Sequence, residues 1–359
     1  MRIACVVGFG IFVVIAGVAH GQASGPEFQE HCADLAAAAR RDGQSAVAGR
    51  DGWLFLAAEL RYMGAGKFWG AAAPAAARTG VKPEYADPLP AILDFHAQLR
   101  KMGVKLLLAP VPPKCQIFPD KLPTPAGAPA GAPAGLPAVP APAEFYEILR
   151  GDGIRVLDLA GLFWEHRADT NGPPYCRTDS HWSGNGCVLA ARAIAEIIRS
   201  DLPAASAGFD SAWSELEING DLTRMPGATN PSPERLTVRR VGRRAGDVLE
   251  PAAPDPASPV ILLGDSHNLV FHAGGDMHAA GAGLPDQLAL ELGRPVALAA
   301  VRGSGATPAR VNLYRRAAND AGYWQNRRWV IWCFAAREFT ESDGWRKIPV
   351  TKAPAAGQP

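Results

Sequence analysis

Two short stretches of the chain carry residue types suited to acyl-group chemistry. The first is Gly264-Asp265-Ser266, which closes the apolar run Val260-Ile261-Leu262-Leu263. In an open parallel sheet, functional groups gather at the carboxyl ends of strands. The small Gly264 permits a sharp turn there that presents the Ser266 hydroxyl. A serine hydroxyl is a weak nucleophile at neutral pH and needs an adjacent base. The second stretch, Asp179-Ser180-His181-Trp182, contains one. Residues at i and i+2 of an extended segment point the same way. Asp179 can then bond the Nδ1–H of His181 and leave Nε2 for a serine, the orienter and base of a catalytic triad. Taken singly, each stretch has a plainer meaning. Ser266 would cap a turn, and Asp179 and His181 would be a capping carboxylate and a surface histidine.

These residues need a frame, and the apolar patterning supplies one. Asp87 caps a helix whose first turn holds Pro88 and whose stripe is Leu89, Ile92, Leu93, His96, Leu99 and Met102. Gly103 ends it, and Val104–Ala109 reads as a strand buried on both faces. Further elements are predicted as a helix from Gly184 to Arg199 capped by Ser183, a strand ending at Gly264 and a helix over Pro285–Leu292. A strand over Val296–Val301, a helix over Thr307–Ala318 and a strand over Trp329–Phe334 follow. Alternating helices and apolar strands imply an α/β fold, a mainly parallel sheet with helices on both faces. Residues 202–258 read as irregular, with one strand at Leu236–Val241. Residues 121–143 are almost wholly Pro, Ala and Gly, and are expected to form an extended insertion. The domain is placed at 45–345, with a disordered tail over 351–359.

Bulk properties set the compartment more than the chemistry. A net charge of +1 provides no field to recruit nucleic acid. Met1-Arg2, the apolar run Ile3–Ala19 and the small residues through Ala23 read as a secretory signal over 1–23, or else as an uncleaved anchor associated with the membrane. Both place the remainder outside the cytoplasm. Cys32, Cys115, Cys176, Cys187 and Cys333 remain after the leader. Cys176 and Cys187 bracket the Asp179–His181 segment and are either a disulfide or a pair of buried thiols.

The ordered set of motifs resembles the alginate O-acetyltransferases of the AlgJ and AlgX type, which are SGNH hydrolase-like enzymes. The similarity runs over roughly 45–340. It rests on Gly49-Arg50-Asp51-Gly52-Trp53-Leu54-Phe55, Val104–Lys114, Asp179-x-His181-Trp182, Gly264-Asp265-Ser266 and Ile331-Trp332…Arg337. The resemblance implies triad roles for Asp179, His181 and Ser266, an acetyl-enzyme, and transfer to a polysaccharide hydroxyl in the periplasm. It also implies an acetyl donor relayed by a membrane O-acyltransferase, with no cofactor. The Asp-x-x-His that follows the serine in ordinary SGNH hydrolases is missing here. A secreted carbohydrate acetyl esterase and a non-catalytic polysaccharide-binding scaffold of an export complex are the rival readings.

The remaining expectations are finer. The backbone N–H groups of Ser266 and Gly303 are the candidate oxyanion donors. His267, Arg302, Arg337 and Trp182 are candidate substrate contacts. His267, His272, Asp276 and His278 follow no standard zinc spacing and are read as loop packing or acceptor contacts, with no metal assigned. Arg235, Arg239, Arg240, Arg243 and Arg244 form a basic run, either a solvated face or a dock for an anionic polymer. Trp53, Trp182 and Trp332 are placed in the core, with Trp182 alternatively leaning over the site.

Overall fold

The computed structural model describes residues 25–124, 135–205, 208–229 and 232–352. The leader expected over 1–23 lies outside the described residues, as do the centre of the 121–143 insertion and most of the tail from 351.

The chain opens with α1 (Gly25–Arg41), a two-stranded antiparallel ribbon of β1 (Ala46–Ala48) and β2 (Leu54–Leu56), and α2 (Ala57–Gly64), which packs on α1. After the single-turn α3 (Ala73–Ala76) comes α4 (Pro88–Lys101). The Asp87 carboxylate accepts from Leu89 N–H at 2.9 Å, satisfying one orphan donor of the first turn. Its inner stripe of Ala91, Ile92, Phe95 and Leu99 is buried. β3 (Lys105–Val111) follows, then α5 (Lys114–Ile117).

The second half of the Pro/Ala/Gly insertion departs from expectation. α6 spans Pro140–Gly151, and Val139 before it is buried. Proline fits the first turn of a helix because its missing N–H has no intrahelical partner there, and alanine is the best helix former. The end of the insertion is therefore built into the domain.

β4 (Arg155–Val156), α7 (Ala160–Glu165) and α8 (Gly184–Ile198) come next. Ser183 Oγ accepts from Gly186 N–H at 3.2 Å and starts α8. Residues 202–258, expected to be irregular apart from a strand at Leu236–Val241, carry a three-stranded antiparallel sheet of β5 (Asp210–Ile218), β6 (Glu234–Ala245), which contains that strand, and β7 (Val248–Glu250). Its burial is patchy. Val238 and Val241 are buried while Trp213 is exposed, and opposite charges pair across strands, as at Glu217 and Arg235. The arginines and glutamates masked the alternation. The chain ends with β8 (Val260–Gly264), α9 (Leu284–Leu292), β9 (Ala297–Ala300), α10 (Thr307–Ala318), β10 (Trp329–Ala335) and α11 (Glu338–Glu341).

The central sheet has five strands in the order β4-β3-β10-β8-β9, all parallel. Every residue of β8 and β10, and all of β3 except Lys105, is buried. Successive side chains point to opposite faces, so both faces are covered. Each such Leu, Ile, Val or Phe contributes about 1.5–3 kcal/mol of burial. Trp332 lies between Leu108 and Leu263 in register, and Trp53 is also buried. Because all strands run one way, the exits of β3, β8, β9 and β10 share one edge. Those exits deliver Lys114, Ser266, Gly303 and Arg337.

The five described cysteines stand as separate, buried thiols. Cys176 and Cys187 are not bridged: Cys176 Sγ donates to Trp182 O at 3.5 Å, and Cys187 lies inside α8. Both act as small apolar fillers. Burial pushes both thiols well above the usual cysteine range.

Candidate active site

β8 ends at Gly264 because only glycine fits there. A Cβ at this position would lie 1.6 Å from the carbonyl oxygen of Cys333 on β10. The close approach of the two backbones frees the turn that follows. Asp265 caps it, with Oδ1 accepting from His267 N–H (2.9 Å) and Oδ2 from Ala335 N–H (2.7 Å). Burial would raise the Asp265 pKa, but His267, Arg337 and the Ala335 N–H outweigh it and bring it down to about 2. An ionised Asp265 thus ties the serine turn to the exit of β10.

The Asp-x-His segment is a loop closed by an antiparallel bridge between Tyr175 and Trp182. Three side chains from distant elements hold it. Glu234, at the start of β6, accepts from Arg177 N–H (2.7 Å), Thr178 N–H (2.9 Å) and Thr178 Oγ1–H (3.0 Å). Asp221 accepts from Ser180 N–H (2.7 Å) and Ser180 Oγ–H (2.6 Å). Lys114, fully buried at the exit of β3, donates to the carbonyls of Asp179 (2.7 Å) and Cys176 (3.1 Å). Gly220 lets the Asp221 turn press on the loop, since a Cβ there would sit 2.2 Å from Thr178 O.

The loop and the serine turn meet. His181 Nε2 lies 2.7 Å from Ser266 Oγ, and His181 Nδ1 lies 2.6 Å from Asp179 Oδ1. The other carboxylate oxygen accepts from Asp221 N–H and from His278 Nε2, each at 2.8 Å. Burial opposes ionisation of Asp179, yet its two histidine partners hold it well below the usual carboxylate range. Burial likewise opposes protonation of His181, but Asp179, with Asp221 and Asp265 behind it, raises its affinity for a proton above that of a free imidazole. This is the electrostatic setting of an oriented base that stabilises its own charged form.

Ser266 and His181 open into a cleft of about 380 Å³ lined also by Leu56, Asp221, Gly303, Ser304, Arg337 and Glu338. The Ser266 and Gly303 N–H groups donate to no protein acceptor among the described residues. Arg337 lies at the cleft, 3.5 Å from Glu59. Burial would lower its pKa, but Glu59, Asp265 and Glu338 raise it. Glu338 is bonded by Ser304 Oγ–H, and burial lifts its pKa to about 7.

Two of the residues expected to touch substrate are not exposed to it. Trp182 is fully buried and donates its indole N–H to His267 O at 2.9 Å, because it plugs the space behind the serine turn. His267 is buried and bonded to Asp265 through Nδ1 at 3.1 Å. Arg302 is exposed and held in a two-pronged pair by Asp276 at 2.5 and 2.7 Å. The four residues of the downstream loop weighed for a metal go to separate partners: His267 to Asp265, His272 to Asp286, His278 to Asp179 and Asp276 to Arg302. Asp179, His181 and Asp221 bring ligand atoms within 4.8 Å of one another, but hydrogen bonds already occupy their oxygens. Strand alternation splits the arginine run. Arg239 is buried on Gln287 and Glu291, while Arg240 and Arg244 bond Ser214 and Asp210. Sequence reasoning missed Lys114, Asp221 and Glu234 as supports of the loop. Only Lys114 carried a signal, as a lysine directly after a buried strand and two prolines.

A parallel α/β sheet with Gly-Asp-Ser at a strand exit and an Asp–His pair set against it defines an SGNH-like domain. Residues 46–336 match the family described as "SGNH hydrolase-like domain, acetyltransferase AlgX", and the chain belongs to that family. It is 28% identical over 237 residues to the probable alginate O-acetylase AlgJ of Pseudomonas putida, covering 63% of this chain and 55% of that protein. It is 28% identical over 162 residues to the probable alginate O-acetylase AlgJ of Pseudomonas aeruginosa, covering 44% and 35%. The chain thus spans between about a third and just over half the length of these curated relatives. The same fold occurs in the O-acetyltransferase domain of Pseudomonas putida AlgJ, with a TM-score of 0.58, 23% identity and coverage of 83% of this chain and 92% of that one. Pseudomonas aeruginosa AlgX shares it with a TM-score of 0.53, 17% identity and coverage of 82% and 66%.

Proposed function

We propose that the chain is a serine-dependent O-acetyltransferase that acetylates hydroxyls of a cell-envelope or exported polysaccharide. The single observation that carries this reading is the hydrogen-bonded line Asp179–His181–Ser266, open to a cleft at the sheet's carboxyl edge. His181 takes the hydroxyl proton as Ser266 Oγ attacks an acetyl ester, and the donor's alcohol leaves with that proton. Asp179 holds the imidazole in the correct tautomer and stabilises its charged form. The Ser266 and Gly303 N–H groups stabilise the tetrahedral oxyanion. His181 then takes the proton of a sugar hydroxyl as that oxygen attacks the acetyl-serine carbonyl, and returns it to the departing Ser266 Oγ. Arg337, a cation lining the cleft, orients a polar donor or acceptor. The acceptor is alginate-like by analogy with the names of the relatives, and the donor is relayed by a membrane O-acyltransferase. Such work belongs in the periplasm, in keeping with the secretory pattern of the first residues; among the described residues no helix is long and apolar enough to cross a membrane.

Intact-mass analysis after incubation with a chromogenic acetyl ester tests this. The expected result is one added acetyl group on Ser266, absent in Ser266→Ala, and its transfer to an added polysaccharide. Acetate release without transfer indicates an esterase. No adduct in the unaltered protein indicates a scaffold, and an adduct that persists in Ser266→Ala refutes the nucleophile.

A further inference from the structure

Asp179 has two carboxylate oxygens, and the line to Ser266 uses one. The other accepts from a histidine ninety-nine positions downstream, His278 Nε2 at 2.8 Å. His278 reaches it at a conformational cost. Its φ is +71° and its ψ −55°. Ala279 N–H donates to Met277 O at 2.9 Å, closing a three-residue turn around His278. A γ-turn of this positive-φ hand is rare and strained for a residue with a side chain. Such strain persists only where surrounding structure enforces it, and it concentrates at functional sites. The enforcement is visible. Phe271 N–H donates to Met277 O at 2.8 Å, Ala273 bridges Ala280, and the ring of Phe271 lies 5.6 Å from the imidazole. Arg302 grips Asp276 on the outer side. Among the described residues the only side-chain hydrogen bond of His278 is the one to Asp179.

We propose that His278 is a positioning residue for acyl transfer: its Nε2–H fixes the rotation of the Asp179 carboxylate and sets how strongly that carboxylate holds a proton on His181. The inference rests on the relay reading above. Asp179 is ionised and can only accept, so the proton of the bond belongs to His278 Nε2. With the Asp221 N–H alongside, this donor withdraws charge from one oxygen and leaves the other aimed at His181. The charged and titratable groups facing His181 are Asp179, Asp221, Asp265 and, farther off, Glu59, with His267 at a ring separation of 4.8 Å. Removing the His278 donor leaves these in place and makes Asp179 a stronger acceptor. The charged form of His181 is then favoured, and the imidazole becomes a free base only at higher pH.

His278→Phe keeps an aromatic ring and the strained turn but removes the donor, whereas His278→Gln keeps a side-chain N–H. Both are made in the full chain. Two readouts are taken: the pH profile of acetyl-ester turnover, and the 15N ring titration of His181, assigned by comparison with His181→Gln. For His278→Phe, kcat/KM is expected to fall about tenfold, the worth of one charge-assisted hydrogen bond. Its acid limb and the His181 ring titration both move to higher pH. His278→Gln returns both toward the unaltered protein. A His181 titration unmoved in His278→Phe, or moved equally in His278→Gln, overturns the proposal and leaves only loop packing. The ring titration reads out without turnover, so failure of the acyl-transfer reading shows separately, as an unaltered protein that forms no acetyl-serine.

Discussion

Lys114→Met is the perturbation that most directly tests how the Asp-x-His loop is held. The Lys114 ammonium is fully buried and donates to Asp179 O and Cys176 O. Its own N–H donates to Glu59 at 3.1 Å, and Arg337 is the second cation near that carboxylate. Burial pulls the Lys114 pKa down and pushes that of Glu59 up, each partly offset by the other. Methionine fills the space of the lysine stem but leaves two loop carbonyls without a donor and Glu59 with a single cation. Removing one partner from a buried charge arrangement costs about 3–5 kcal/mol. In a domain this large each kcal/mol shifts the melting temperature by about 2–3 °C, so Lys114→Met should melt on the order of 10 °C lower. Calorimetry at pH 7 measures this, and acetyl-ester labelling of Ser266 should slow in parallel as the loop loosens. The double variant with Glu59→Gln should cost less than the sum of the single changes, because the Glu59 carboxylate is then no longer left short of a cation, while Arg337 keeps Asp265 and Glu338 nearby. A Lys114→Met protein that melts within about 3 °C of the unaltered chain and labels at the same rate refutes the argument, since one lost surface-like contact costs no more than that.

Asp265→Asn tests the tie between the serine turn and β10. The Asp265 pKa falls from 3.8 to about 2 on folding, so its contribution is present above 3.8 and is lost as pH falls through about 2. That difference corresponds to about 2 kcal/mol. Urea unfolding should show Asp265→Asn weaker by about that amount at pH 7, with the gap closing toward pH 2; a gap of constant size counts against it. Gly264→Ala places a methyl carbon 1.6 Å from Cys333 O and should yield no folded protein, as judged by circular dichroism and solubility. A folded Gly264→Ala with near-normal melting contradicts the packing described for β8 and β10.

The parallel sheet was legible because β3, β8 and β10 are buried at nearly every position, which leaves unbroken apolar runs in the sequence. The caps Asp87 and Ser183 were legible because capping is local chemistry. The core of β6 was legible at Leu236–Val241, but β5, β7 and the flanks of β6 were not, because their exposed positions carry arginines and glutamates that hide a period of two. In the site, the i to i+2 geometry of Asp179 and His181 could be read from their spacing. The supports could not. Lys114, Asp221 and Glu234 come from three separate elements, and only the tertiary fold brings them to one loop. His267 reads as a substrate contact, and Trp182 as either core or a contact over the site, because each sits beside a chemically active residue. Yet neighbours along a turn point in different directions, and these two face inward.

Ser266 and His181 are 85 positions apart, and each is held by groups from elsewhere in the chain. An unfolded or half-made polypeptide therefore contains an ordinary alcohol and an ordinary imidazole, with no means of trapping acyl groups. Only the completed sheet, with β10 between β3 and β8 and Ala335 N–H closed on Asp265, sets the two side chains side by side.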